Sequence, residues 1–303
     1  MTDHGSGEGS ATVLAAATEA LTGAAPTMID ARPFLTGGDG RATLEDGRIT
    51  LTVPAAGGAV QVLETPQVVI VYEIPPTTRA RFAGFQQILR ASGVACLGGA
   101  DARAWHAATD KHATVDRFRR AGVAHMQTLT LHTPDAATAL AAFTHLGGDV
   151  WARPVTGAGG TDVFHLRTPD QLAAARHHYA ATGQRWLLSR DAGNLDDHGR
   201  RYQFRVVVLG EQVLRVCEHV QPDPDQPCNE ARGAISTVLP VDELPPHLAR
   251  LAIDATHALG LPFGGVDLVA ENGGVVFEVN VHPVLDVPGG LHDVAIPFIK
   301  AHY

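Results

Sequence analysis

Apolar positions along this chain recur with two spacings, and the switches between them mark out its elements. Two-residue alternation or short continuous apolar runs, the mark of strands, fall at 48–53, 59–63, 68–72, 94–97, 127–131, 150–154, 185–189, 203–213, 264–270 and 275–279. Helical spacing covers 15–21, 77–92, 111–122, 134–147, 168–183 and 244–260, with a short helix from Leu291. In 244–260 the stripe is Leu248, Leu251, Ala252, Ala255 and Leu259, with Pro245 and Pro246 at the first turn and Gly260 at the end. Before residue 109, strands alternate with helices, and the segment 54–58 reads as the turn between the first two strands. That alternation implies an open α/β unit with a mostly parallel sheet. Residues 1–12 are small and polar, the composition of a disordered tail.

The last two strands carry the densest chemistry. Val266-Asp267-Leu268-Val269 and Glu278-Val279-Asn280 are joined by Glu271-Asn272-Gly273-Gly274, whose Asn and Gly residues accept the positive φ of a tight hairpin. Pairing the strands brings Asp267 near Glu278, and period two puts Asn280 on the face of Glu278. Three oxygen donors with no Cys or His among them suit Mg²⁺ or Mn²⁺. The same residues can equally be solvated edge charges.

This arrangement resembles the metal-binding end of the ATP-grasp superfamily, within it the RimK-type glutamate-ligase-like and glutathione-synthetase-like branch. There an Asp on one strand is followed by Glu-x-Asn on the next and then x-x-Pro-Gly. Here Pro283 is in place, while His282 and Val284 depart from the usual small residues. The resemblance runs in order from about Asp110 to Leu285. Asp110-Lys111 looks like the start of the ATP-binding lid, which makes Lys111 a polyphosphate ligand; otherwise it is a solvated helix-start lysine. Arg153-Pro154 stands where the family has Lys-Pro, so Arg153 takes the nucleotide-binding place with a planar fork instead of a point charge. The loop 157–161, with Gly157, Gly159 and Gly160, can turn N–H groups toward phosphate, or be a plain hairpin turn.

Ser189 and Arg190 replace the family's Gln-Glu, whose backbone reads adenine; the ribose acid is open between Asp191, Asp196 and Asp197, the last two in a polar loop over 194–201. The hairpin from Gln203 to Val213 resembles Asp-x-Arg-Val-x-Val-x-Gly-x-x-Val, with Gln203 in place of the acid. Arg205 then faces the γ-phosphate and the acyl phosphate, or else forms a structural ion pair. Asn229 and Arg232 resemble the loop Asn-x-x-x-Gly-Gly that closes over the reacting phosphate. A rival for Cys228, a nucleophile with His219 as base, requires the two within hydrogen-bond reach.

The resemblance implies an N-terminal open α/β domain (13–108) followed by a two-part ATP-grasp module, a lid (109–185) and a C-terminal subdomain (186–303). It implies an ATP- and Mg²⁺-dependent carboxylate–amine ligase that forms an amide through an acyl phosphate, acting on an amino acid, a peptide or a peptide-tagged protein. Homo-oligomers are common among such enzymes. The altered Arg153 and the lost Gln-Glu pair leave a second class open, a nucleotide-binding regulatory or scaffold protein.

Composition narrows the rest. At 303 residues the chain holds two or three compact units, and its longest apolar run is too short for a membrane span. A net charge of −9 with no basic block disfavours a nucleic-acid partner. Three scattered cysteines, Cys96, Cys217 and Cys228, give neither a disulfide framework nor a zinc site and fit the cytoplasm. The sixteen histidines lack H-E-x-x-H spacing, and no Gly-x-Gly-x-x-Gly follows an early strand, which disfavours a zinc hydrolase and a dehydrogenase.

Overall fold

Residues 1–54, 60–64, 66–99 and 101–301 are described in a computed structural model. The turn expected at 55–58 lies outside them. Contacts divide the chain into two units, Met1–His106 with Leu261–Phe263 and Val281–Tyr303, and Ala107–Gly260 with Gly264–Asn280. Two expected boundaries move as a result. The C-terminal stretch from Val281 belongs with the N-terminal unit, and the lid clusters with the subdomain after it.

The first unit contains α1 (Ser10–Thr22), β1 (Arg41–Glu45), β2 (Arg48–Pro54), β3 (Val60–Glu64), β4 (Val68–Ile70), α2 (Ala83–Ser92) and β5 (Ala95–Leu97). The helix α3 (Ala102–Thr109) runs from it into the second unit. Instead of one mostly parallel sheet, β1-β2-β3 form an antiparallel sheet and β4-β5 a separate parallel pair. The exposed, polar Arg41–Glu45 hid β1 from the apolar pattern. Residues 1–12, expected as a disordered tail, make specific contacts: Thr2 bridges Asp30 and Tyr72, and the Ala11 N–H donates to Glu73 Oε2 at 2.7 Å. Ser10 opens α1, which begins five residues earlier than the apolar spacing indicates.

The second unit carries two sheets. The smaller is antiparallel, in the order β6 (Thr128–Leu131), β9 (Trp186–Arg190), β7 (Val150–Pro154) and β8 (Phe164–Leu166). Its core packs Phe143 and Leu146 of the α5 (Ala136–His145) region and Leu172 and Tyr179 of α6 (Pro169–Thr182) against Val150, Trp186 and Leu188. The helices start where short oxygen-bearing side chains satisfy free N–H groups. Asp110 caps α4 (Lys111–Ala121), Asp135 caps α5, and Thr168 with Gln171 forms a capping box on α6. The larger sheet is ordered β12 (Ile235–Leu239), β11 (Gln212–Gln221), β10 (Arg201–Leu209), β13 (Phe263–Val269), β14 (Val275–Asn280). The helix α7 (Pro246–Leu259) buries Leu248, Ala252, Ala255 and Leu259. No helix among the described residues is long and apolar enough to cross a membrane.

Candidate active site

The β13–β14 hairpin forms in the expected register, with Asp267 directly opposite Glu278 and Gly265 opposite Asn280. Asn272 at φ 56 and Gly273 at φ 82 make its turn. One detail escaped the alternation. The register slips between Asp267 and Leu268, so that Leu268 faces Val276 and Phe277 is the extra residue of a bulge. Phe277 and Glu278, neighbours in sequence, therefore both line the same cleft.

That cleft lies within the second unit and gathers residues from five strands (β7, β9, β10, β13 and β14), the start of α4 and four connecting segments. At one end sits a charge cluster. Arg205 grips Asp267 with both arms, Nε to Oδ1 at 2.7 Å and Nη2 to Oδ2 at 2.8 Å. Asn280 Nδ2 donates to Asp267 Oδ2 at 3.3 Å. Lys111, at the first position of α4, places Nζ 3.4 Å from Glu278 Oε2 and donates to the Gly157 carbonyl at 3.1 Å. Arg153 Nη1 lies 3.9 Å from Glu278 Oε2, and its Nη2 donates to Phe277 O. Burial alone would raise the Glu278 carboxyl, but Lys111, Arg153 and Arg205 hold it below its ordinary value. Burial lowers the Arg153 guanidinium, against the pull of Glu278 and Asp267; Arg205, buried too, is raised by the Asp267 carboxylate. The buried Arg153 Nε has no hydrogen-bond partner.

Part of the lining is apolar. Met126, Ala192 and Phe277 supply it, packed with Val269 and Val275. Trp151, also in the lining, stacks on His165 at 4.5 Å, with the Arg201 guanidinium 4.8 Å from the indole centroid. Gly157, Gly159 and Gly160 roof the cleft. Gly160 is at φ +68, and a Cβ there would stand 2.9 Å from Pro227 Cγ and 3.2 Å from Arg232 Cγ. The position thus requires glycine both for its backbone and for the close approach.

Of the residues singled out from sequence, Lys111, Arg153, Gly157, Gly159, Gly160, Ser189, Arg190, Arg205, Asn229, Asp267 and Glu278 line this cleft. Asn280 joins it through Asp267, and Arg232 packs behind Gly160 without lining it. Ser189 and Arg190 offer backbone only: Ser189 Oγ is buried against Thr128, and Arg190 Nε turns away to Leu146 O. None of the three acids considered for ribose lines the cleft. Asp191 is committed to Trp151 Nε1 at 2.6 Å and Arg201 at 2.8 Å, and Asp196 to Arg200. The cysteine rival fails on geometry. Cys228 Sγ donates to the His219 carbonyl, not to its ring, whose Nδ1 meets Ser236 Oγ; burial and Asp267 push the thiol up to about 12. Sequence reading missed Trp151, Asn194 and Arg201 as cleft residues. Arg201, Gln203 and Arg205 alternate along β10, and that polar period of two was the available signal.

A family model described as the RimK-like ATP-grasp domain matches residues 108–294. A probable alpha-L-glutamate ligase of Haemophilus influenzae (strain PittEE) is 28% identical over 155 residues, 49% of this chain and 48% of that protein. The chain thus spans about half the length of that curated relative. Among solved structures, the ATP-grasp ligase PsnB complexed with a minimal precursor superimposes with a TM-score of 0.66 at 18% identity, covering 96% of this chain and 93% of that one. The D-cycloserine synthetase DcsG gives 0.58 at 21% identity, over 78% and 82% of the two chains. Both likenesses concern the fold.

Proposed function

This chain belongs to the RimK-like ATP-grasp family, and on that premise we propose that it is an ATP-dependent carboxylate–amine ligase. The observation that carries the proposal is the convergence of Lys111, Arg153 and Arg205 on Asp267 and Glu278 in a cleft whose lining also includes the apolar Met126, Ala192 and Phe277. Such a cleft suits a nucleotide, with its base among Met126, Ala192 and Phe277 and its phosphates beneath the glycine loop.

The donors fit a hard divalent cation. Asp267, Glu278 and Asn280 offer oxygen from adjacent strands, and the cations around Glu278 keep it ionised. Mg²⁺ or Mn²⁺ held there would neutralise phosphate charge during transfer. Lys111 and Arg153 set positive charge against the polyphosphate, with the buried Arg153 Nε still free to donate. Arg205, fixed in direction by its two bonds to Asp267, orients the acid's carboxylate toward the γ-phosphorus. The carboxylate oxygen attacks phosphorus and ADP leaves. An amine then attacks the acyl carbon, the C–O bond breaks, and phosphate leaves with its electron pair and takes up the proton that the amine nitrogen sheds. The roof at 157–161, seated against Pro227 and Arg232, keeps out water that would hydrolyse the intermediate. No protein nucleophile is required.

The substrates proposed are an amino acid or peptide carboxylate and an amine. ADP release on addition of acid and amine panels tests the reading. A protein that binds MgATP yet yields no ADP with any pair would instead be a nucleotide-binding regulatory or scaffold protein, the class that the changed Arg153 and Ser189-Arg190 keep open.

A further inference from the structure

Three largely buried arginines of the second unit each meet a carboxylate: Arg153 with Glu278, Arg201 with Asp191 and Arg205 with Asp267. Arg215 does not. It is 5% exposed, its Nε donates to Cys217 Sγ at 3.3 Å, and its enclosed Nη1 has no hydrogen-bond partner. Among the described residues no carboxylate pairs with it. A guanidinium cannot shed its charge, and a buried cation without a counter-ion is strongly unfavourable unless something else brings the anion.

Its place in the sheet names that anion. In the β10–β11 ladder Arg205 faces Cys217 and Val207 faces Arg215. Alternation therefore puts Gln203, Arg205, Val207, Arg215 and Cys217 on one face, the face from which Arg201, Gln203 and Arg205 line the cleft. Arg215 continues this row beyond Arg205, on the side away from Arg201. Two residues of strand separate the rows, roughly 7 Å. A group at Arg215 thus lies past the place where the reacting carboxylate meets Arg205, and outside the stretch lined for the nucleotide. The planar fork suits a carboxylate, which it grips through two oxygens.

We propose that Arg215 binds a second carboxylate, one that is not activated, carried by either the acid or the amine substrate. The identity of that carrier rests on the ligase reading above; the anion site itself does not. Arg215 is then a specificity-determining residue that admits a doubly charged acid or an amino acid and rejects the corresponding amide.

Titration calorimetry on the full chain saturated with a non-hydrolysable ATP analogue and Mg²⁺ tests this in two arms. Glutarate against its monoamide reads an acid-borne carboxylate, and γ-aminobutyrate against its amide reads an amine-borne one. In one arm the wild-type protein should prefer the carboxylate at least tenfold. Arg215→Gln should lose that preference to within twofold, Arg215→Lys should fall between, and affinity for the ATP analogue should stay unchanged in all three. The proposal is overturned if the wild type binds neither carboxylate or treats it and its amide alike in both arms. It is also overturned if Arg215→Gln keeps the full preference; should that variant not fold, equal preference in Arg215→Lys and wild type overturns it. Carboxylate preference without ADP release from any acid–amine pair would keep the anion site and remove the ligase reading.

Discussion

Replacing Glu278 by Gln should move nucleotide binding in opposite directions with and without metal. The carboxylate is one of three proposed metal ligands, yet it also neutralises Lys111 at 3.4 Å and Arg153 at 3.9 Å. A phosphate bound by Lys111 would sit about 6 Å from Glu278, one hydrogen-bond length beyond the ammonium. At an effective dielectric of 20–40, one unit of charge at that distance repels by roughly 1.5–3 kcal/mol, and salt reduces this to ~1–2 kcal/mol. Removing the charge without changing the shape should therefore tighten metal-free ATP about 5- to 30-fold. In the presence of Mg²⁺ the lost ligand dominates, and ADP formation should fall by about 10³ or more. Calorimetry in EDTA reads the first effect, and a coupled ADP assay the second. Metal-free binding that is unchanged or weaker in Glu278→Gln would refute the electrostatic reasoning, and turnover within tenfold of wild type would refute the ligand assignment.

Other perturbations follow from single contacts. Gly160→Ala forces a positive φ on alanine and a Cβ against Pro227 and Arg232, so KM for ATP should rise at least tenfold with a thermal midpoint within a few degrees of wild type; an unchanged KM contradicts the roof. Arg153→Lys restores the residue usual at this place in the family and should hold ADP affinity within threefold or improve it; a loss above tenfold would show that the fork itself is needed. Burial, and then Arg205, lower the His219 imidazole below 6.5. Its stabilising neutral form is fully present above that value, and stability is lost as the pH falls below it, because the unfolded chain takes up the proton first. Melting curves at pH 5–7 should thus depend less on pH in His219→Gln; identical slopes would remove His219 as a contributor.

Sequence reading located the charge cluster well because its parts are local. A hairpin of known turn chemistry fixes Asp267 opposite Glu278, and period two fixes Asn280. Lys111 and the glycine loop were legible from their neighbours Asp110 and Pro154, which end or begin elements. What stayed hidden depends on non-local packing. Phe277 reaches the cleft only through a bulge, which breaks the alternation on which strand reading relies. Arg201 followed Arg200 in a polar loop by composition, yet it is buried because Asp191, Asn194 and the Trp151 ring converge on it. The same network takes Asp191, one of the three acids considered for ribose, while Asp196 pairs with Arg200. In the first unit, the exposed β1 carried no apolar signal, and the return of residues 281–301 is a long-range contact that no local pattern encodes.

The most direct test of the metal assignment is a crystal of the protein with an ATP analogue and Mn²⁺, measured for anomalous scattering. The assignment predicts a peak within about 2.3 Å of oxygens from Asp267, Glu278 and Asn280, bridged to the phosphates. A peak instead among Asp149, His165 and Asp191, whose ligand atoms lie within 4.8 Å of one another, would contradict it.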